Sequence, residues 1–291
     1  MQYQDMARTT LATATTLMGA AAAVAADAPA VDKAALDSAL EALKTFDWSS
    51  EDNALGDSEQ AEAKPKKRGR ARTGVHGLSG IEKAIPATHG NAEARKDLET
   101  RLAAVLGTGA SRAAKDYVCR KLIIVGTAAS VPALAALVTD KELSHIARVA
   151  LERIPAPEAG KALRDALGTT SSALKAGVIG SLGARRDREC IADLAALVAD
   201  TDPAIASAAA TALGDIGTPE AAQALAGAKP ASDAVKAKAN DGCLACAERL
   251  LAAGKKAEAK TIYASLLSGN PSKNVRLAAT RGLLLASGKK E

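Results

Sequence analysis

The sequence predicts an all-α chain, a right-handed α-solenoid of stacked antiparallel helix pairs. Three observations carry this expectation. Four segments end alike: KLIIVG at Lys121–Gly126, ALERIP at Ala150–Pro155, SLGARR at Ser181–Arg186 and ALGDIG at Ala212–Gly217. Their leucines, Leu122, Leu151, Leu182 and Leu213, are spaced by 29, 31 and 31 residues, the period of stacked helical hairpins. Alanine makes up 71 of 291 residues against five aromatics, which suits thin, closely packed helices. Alternating Val/Ile/Tyr/Thr runs, the mark of strands, are absent.

Read from Met6, one cation, Arg8, precedes an uncharged run from Thr9 to Ala26. Ala23-Val24-Ala25 then offers a small-x-small cleavage site, so residues 1–25 read as a signal peptide. The expectation is an exported or periplasmic protein, with a cytoplasmic one as the alternative. Residues 26–48 hold one amphipathic helix, VDKAALDSALEALKTFDW, with Leu36, Leu40 and Leu43 at helical spacing. Residues 49–80 lose periodicity and gain Gly, Ser, Glu and a basic cluster, which reads as a disordered linker. Residues 81–291 are assigned to the solenoid, beginning with a helix at Ile81–Ile85 that Pro86 follows. No later stretch reaches about 18 uncharged apolar residues, so no membrane span is expected.

One repeat shows the local physics. Ser130 stands before Val131-Pro132 as an N-cap with proline in the first turn. Val131, Leu134, Leu137 and Val138 form the first apolar stripe. After a turn at Asp140, the residues Leu143, Ile146, Ala147, Ala150, Leu151 and Ile154 form the second. A later repeat does the same with Asp202 as cap, Pro203 at the first helical position and Gly217 ending the helix. Neither stripe can be buried by one hairpin alone, so neighbours must stack.

VPALAALVTDKELSHIARVALERI and CIADLAALVADTDPAIASAAATALGDIG resemble HEAT repeats, including the short HEAT-like repeats of phycobilisome lyases. The resemblance covers Ser111–Gly227 and extends to Pro271–Gly288. The family's Val-Arg pair stands here as Val275-Arg276, while its other places hold Leu143-Ser144, Leu174-Lys175 and Ile205-Ala206. CLACAERLLAAGKKAEAKTIYASLL, at Cys243–Leu267, is similar to a tetratricopeptide helix pair with Gly254 as its turn. The resemblance implies a binding scaffold. At fold level it also touches bilin lyases and a class of DNA glycosylases, which is weak warrant for chemistry. An enzyme would need a pocket with an aromatic wall beside a carboxylate, and the repeats hold only Tyr117 and Tyr263 for that purpose.

Three groups of residues are candidates for a site. Cys243 and Cys246 form a Cys-x-x-Cys pair that reads either as a redox pair or as two small apolar core residues. Haem attachment would need histidine where Ala247 stands, and zinc needs four ligands. A disulfide wants Cβ atoms about 3.8 Å apart, closer than helical i,i+3 neighbours, unless Gly242 marks a helix start. Arg185, Arg186 and Arg188 form a charged loop that is either a binding edge or simply solvated.

The third group is KPKKRGRAR, in which Lys64, Lys66, Lys67, Arg68, Arg70 and Arg72 place six cations in nine residues. The whole chain carries +5, so the remainder is +5 − 6 = −1 and the solenoid itself is near neutral. The core Lys67-Arg68-Gly69-Arg70-Ala71 resembles an AT-hook without its prolines. The segment reads as a tether first and an electrostatic anchor for a polyanion second. His76, His89 and His145 share no ligand spacing. The expectation is therefore a non-catalytic scaffold without cofactor or metal, binding a protein or peptide. A HEAT-like lyase and a polyanion or nucleic-acid binder acting through Lys64–Arg72 are the alternatives.

Overall fold

A computed structural model of the chain describes residues 30–47, 77–269 and 271–288. The signal-peptide segment 1–25 and the basic cluster Lys64–Arg72 lie outside the described residues. Every regular element among the described residues is helical. The chain falls into two compact units, one ending at Ser130 and one starting at Val131.

In the first unit, α1 (Lys33–Ala42) runs into a short 3-10 turn, Leu43–Thr45. It is followed by α2 (Ser79–Ala87), α3 (Ala92–Leu106) and α4 (Arg112–Val125). Asp32 caps α1 by accepting from the Ala35 amide at 3.0 Å, relieving one orphan donor of the first turn. α1 and α2 cross in backbone contact at Gly80, where any Cβ would collide with the Ala35 carbonyl oxygen. Pro86 does not end α2, which runs one residue further. The apolar stripes bury Leu36, Leu43, Ile81, Leu98, Leu102 and Leu122 completely.

Polar groups tie α3 to α4. Arg95 donates to the carbonyls of Ile124 and Val125 at 2.9 and 3.1 Å, satisfying the open end of α4. Glu99, only 2 % exposed, accepts from the amides of Thr127 and Ser130 at 2.6 and 3.1 Å and from the Thr127 hydroxyl. Ser130 is not the cap that the sequence suggests: its hydroxyl turns back to donate to the Thr127 carbonyl at 3.1 Å, and the 3-10 turn Ala128–Ser130 runs straight into the next helix, while Glu99 holds its amide. Tyr117 donates to Glu82 at 2.8 Å, with Lys121 2.6 Å from the same carboxylate and 4.7 Å above the Tyr117 ring. Burial first, then Glu82, raises the Tyr117 hydroxyl well above the usual phenol range.

The second unit is a row of hairpins. α5 (Val131–Ala135) pairs with α6 (Ser144–Arg153), and α7 (Pro157–Thr169) with α8 (Ser172–Arg185). A 3-10 turn at Arg188–Cys190 leads into α9 (Ile191–Leu197), which pairs with α10 (Pro203–Ile216). Then come α11 (Pro219–Gly227) with α12 (Asp233–Ala252), and α13 (Lys256–Ser268) with α14 (Lys273–Ala286). One layer runs α6, α8, α10, α12, α14, each touching the next. In the other, α5 meets α7, and α11 meets both α9 and α13. This is the α-solenoid pattern that the leucine period predicts.

Punctuation follows the sequence closely here. Asp202 accepts from the Ala204 amide at 2.8 Å, Pro203 fills the first position, and Gly217 closes α10 in the left-handed region at φ 70°. Thr218 caps α11 in the same way, and Ser232 caps α12.

The even-numbered layer is held at close range by small residues. A Cβ on Gly183 would lie 2.8 Å from the Ala212 Cα, and one on Gly214 would lie 2.8 Å from the Gly242 Cα. Gly242 is thus an interior contact of α12. It does not mark a helix start, because α12 begins at Asp233.

Candidate functional site

Three helical stripes converge on a groove of the second unit of about 780 Å³. α11 supplies Pro219, Ala222, Gln223 and Ala226, at i, i+3, i+4 and i+7. α12 supplies Lys236, Asn240 and Cys243, at i, i+4 and i+7. α13 supplies Glu258, Thr261, Ile262, Ser265 and Leu266, and Gly269 closes the far end. Each set shares one face because 3.6 residues make a turn. From Glu258 to Gly269 the groove runs about 16 Å, at 1.5 Å per residue.

The floor is apolar and buried: Ala222, Cys243 and Leu266 are 3, 5 and 6 % exposed. The rim is polar and exposed, with the Gln223 amide, the Thr261 and Ser265 hydroxyls, and Lys236 and Glu258 as single charges of opposite sign. An apolar floor with scattered hydrogen-bonding groups on the rim can hold a short segment of chain by its backbone and small side chains. The groove was not legible as a site in the sequence. Its signal was the run of small and hydroxyl residues, Ala222, Ala226, Thr261 and Ser265, which reads equally well as helix filler.

Cys243 and Cys246 face different neighbours. The Cys243 thiol donates to the Ala222 carbonyl of α11, and the Cys246 thiol donates to the Leu213 carbonyl of α10, both at 3.6 Å. Burial, with the neighbouring Cys246 adding to it, pushes the Cys243 thiol up to about 12. Burial likewise pushes Cys246 up to about 11. Both thiolates, the reactive forms, are strongly disfavoured at neutral pH.

The three loop arginines divide. Arg185 turns its guanidinium back onto the end of α6, donating to the carbonyls of Leu151, Glu152, Ile154 and Ala156 at 2.5 to 3.2 Å. It satisfies the orphan acceptors of that helix terminus, and burial lowers its pKa from the ordinary arginine value. Arg186 is exposed and takes the left-handed conformation, φ 54°, that ends α8. Arg188 is exposed at the start of the 3-10 turn. Behind them Arg164 pairs with Asp187 and, at 2.8 Å, with Glu189. Lys64, Lys66, Lys67, Arg68, Arg70 and Arg72 lie outside the described residues.

A smaller groove of about 420 Å³ lies between α12 and α14, with Glu248 and Arg281 among its lining residues and Tyr263 of α13 beneath. Tyr263 is 1 % exposed. A Cβ on Gly282 would come within 2.5 Å of its Cε1. Burial first, then Glu248, raises the Tyr263 hydroxyl. Among the described residues no cluster of three or more His, Cys, Asp or Glu could hold a metal ion. No described helix is long and apolar enough to cross a membrane.

The family model for HEAT repeats matches residues 161–242, from within α7 through α8, α9, α10 and α11 to Gly242 of α12. Comparison with curated proteins returns no match.

Proposed function

We propose, from the premise that this is a chain of HEAT repeats, that it is a non-catalytic scaffold holding a peptide segment of a partner protein in the groove of α11, α12 and α13. One observation carries this reading: three parallel stripes form a groove about 780 Å³ in size with a buried apolar floor and a hydroxyl and amide rim. Its length of about 16 Å accommodates roughly five extended residues or three helical turns. The nucleophile-type group on its floor, Cys243, is held protonated by burial. A lyase-type reading would turn instead to Tyr263 and Glu248, but Tyr263 is sealed beneath Gly282.

A random peptide library panned on the full-length chain tests the groove. Enriched peptides are expected to lose at least about tenfold in affinity for Ala226→Trp, a bulky ring on an exposed rim position that fills the groove. Its thermal midpoint should stay that of the wild type. Equal binding to Ala226→Trp, or no enrichment at all, counts against the groove.

The charge arithmetic favours a second reading, contact with a polyanion through Lys64–Arg72. Six of the chain's cations sit in nine residues, against −1 for everything else. Deleting residues 64–72 is expected to abolish retention on a heparin column and its steep salt dependence. Elution of the deletion at the wild-type salt concentration ends that reading.

A further inference from the structure

One polar side chain in the groove of α11, α12 and α13 has both halves of its chemistry open. Asn240 is half-buried, one turn from Cys243, and its amide has no hydrogen-bond partner among the described residues. Thr261, by contrast, donates to the Ala257 carbonyl of its own helix at 3.1 Å. A half-buried amide has lost part of its hydration and regains nothing until something pairs with it. Its donor and acceptor can meet the C=O and N–H of one residue of an extended chain, because those two groups point to the same side. In a helix the same backbone groups are taken up by internal hydrogen bonds. Asn240 therefore favours an extended segment over a helical one.

Two charges stand at opposite ends of the same groove. α12 and α13 are joined by the short turn at Gly254 and run antiparallel. Lys236, in the first turns of α12, thus lies at the Gly269 end, and Glu258, in the first turn of α13, lies at the other. Neither forms an ion pair among the described residues. Asp233, Lys256 and Lys260 are close to them in sequence but do not line the groove. The two charges are about 16 Å apart along the groove, the span of roughly five extended residues. The floor between them, Ala222, Cys243 and Leu266, is apolar and buried.

We propose that the groove takes an extended segment of the partner protein that carries an acidic and a basic side chain five positions apart. The acidic side chain meets Lys236 and the basic one meets Glu258. Asn240, one turn along α12 from Lys236, pairs with the backbone near the acidic end. Alternate side chains between the two charges turn down onto the apolar floor. This inference rests on the groove being the peptide site, and narrows its occupant to one conformation and one charge pattern. Apolar contact supplies affinity there, and the opposed charges supply selectivity.

The test pans four hexapeptide libraries on the full-length chain. Their ends are fixed as lysine–glutamate, glutamate–lysine, lysine–lysine or glutamate–glutamate, with the four inner residues random. Peptides with opposite ends are expected to be enriched, and to bind at least about tenfold tighter than their like-charged counterparts by fluorescence anisotropy. Lys236→Glu should turn the preference to lysine at both ends, and Glu258→Lys to glutamate at both ends. N-methylation of one backbone amide should cost at least about tenfold with the wild-type chain and little with Asn240→Leu, the coupling that a shared hydrogen bond requires. Thermal midpoints of the three variants should match the wild type, since none of these side chains has a partner to lose. Equal enrichment of all four libraries, still blocked by Ala226→Trp, leaves the groove as a peptide site and overturns this inference. So does an N-methyl penalty that Asn240→Leu fails to relieve, or a bound peptide whose transferred nuclear Overhauser effects are helical. No enrichment from any library removes the groove reading and this inference together.

Discussion

Gly214→Leu is expected to lower the stability of the second unit by about 3 kcal/mol, near the upper end of what overpacking costs. The cause is backbone against backbone. A Cβ at position 214 would lie 2.8 Å from the Gly242 Cα and 3.3 Å from its carbonyl oxygen. A flexible side chain could swing aside, but a helix backbone cannot, so α10 and α12 must separate. Separation also uncovers Leu213, Cys246 and Ala247, all fully buried. Urea unfolding followed by far-UV ellipticity should show a lower midpoint for the variant. Gly180→Ala is the control: nothing lies within 4 Å of a Cβ there, and removing a mid-helix glycine should add up to about 1 kcal/mol. An unchanged midpoint for Gly214→Leu would mean that the two helices are not in backbone contact.

Alkali should destabilise the second unit progressively from about pH 9 upward. Burial raises Cys190 to about 12, Cys243 to about 12 and Cys246 to about 11, from 9.0 in the unfolded chain. The direction follows from proton counting. Above pH 9 the unfolded chain gives up its thiol protons while the native one keeps them. The unfolded state then binds fewer protons, so the free energy of unfolding falls as pH rises. Each thiol contributes about 1.4 kcal/mol per pH unit in that window, and three contribute about 4. By pH 11 this removes about 8 kcal/mol, a large share of the 5 to 15 kcal/mol typical of a domain. Below pH 9 all three are protonated in both states, and this effect vanishes. A urea midpoint that does not fall between about pH 9 and pH 11 would show that the thiols are not buried as described. Cys243→Ala with Cys246→Ala should make the fall with pH shallower.

The row of hairpins was legible because its determinants are periodic. Leu122, Leu151, Leu182 and Leu213 are all fully buried, and Asp202, Pro203 and Gly217 do what their chemistry implies at a helix boundary. What periodicity does not encode was misread. Ser130 has the right type and place for a cap, but its hydroxyl turns back to the Thr127 carbonyl within a 3-10 turn that runs on into the helix. The sequence leaves Gly242 open as a helix start, and its role is close approach to α10, a relation between distant positions that leaves no local trace. Arg185 looked like a surface charge next to Arg186 and Arg188, because the carbonyls it serves lie some thirty residues back at the end of α6. The groove was invisible for a related reason: its lining comes from three helices, and each contributes residues that are unremarkable alone.

The guanidinium of Arg185 has a mechanical meaning for the layer that contains it. Across the α6–α8 seam Arg148 of α6 also donates to the Gly177 carbonyl and the Ser181 hydroxyl of α8, at 2.7 and 3.0 Å. A planar fork gripping four carbonyl oxygens at one helix end cannot slide without releasing all of them. Arg185 therefore acts, together with Arg148, as a detent that indexes α8 along the axis of α6, so that the apolar seam supplies cohesion while two guanidiniums supply the register.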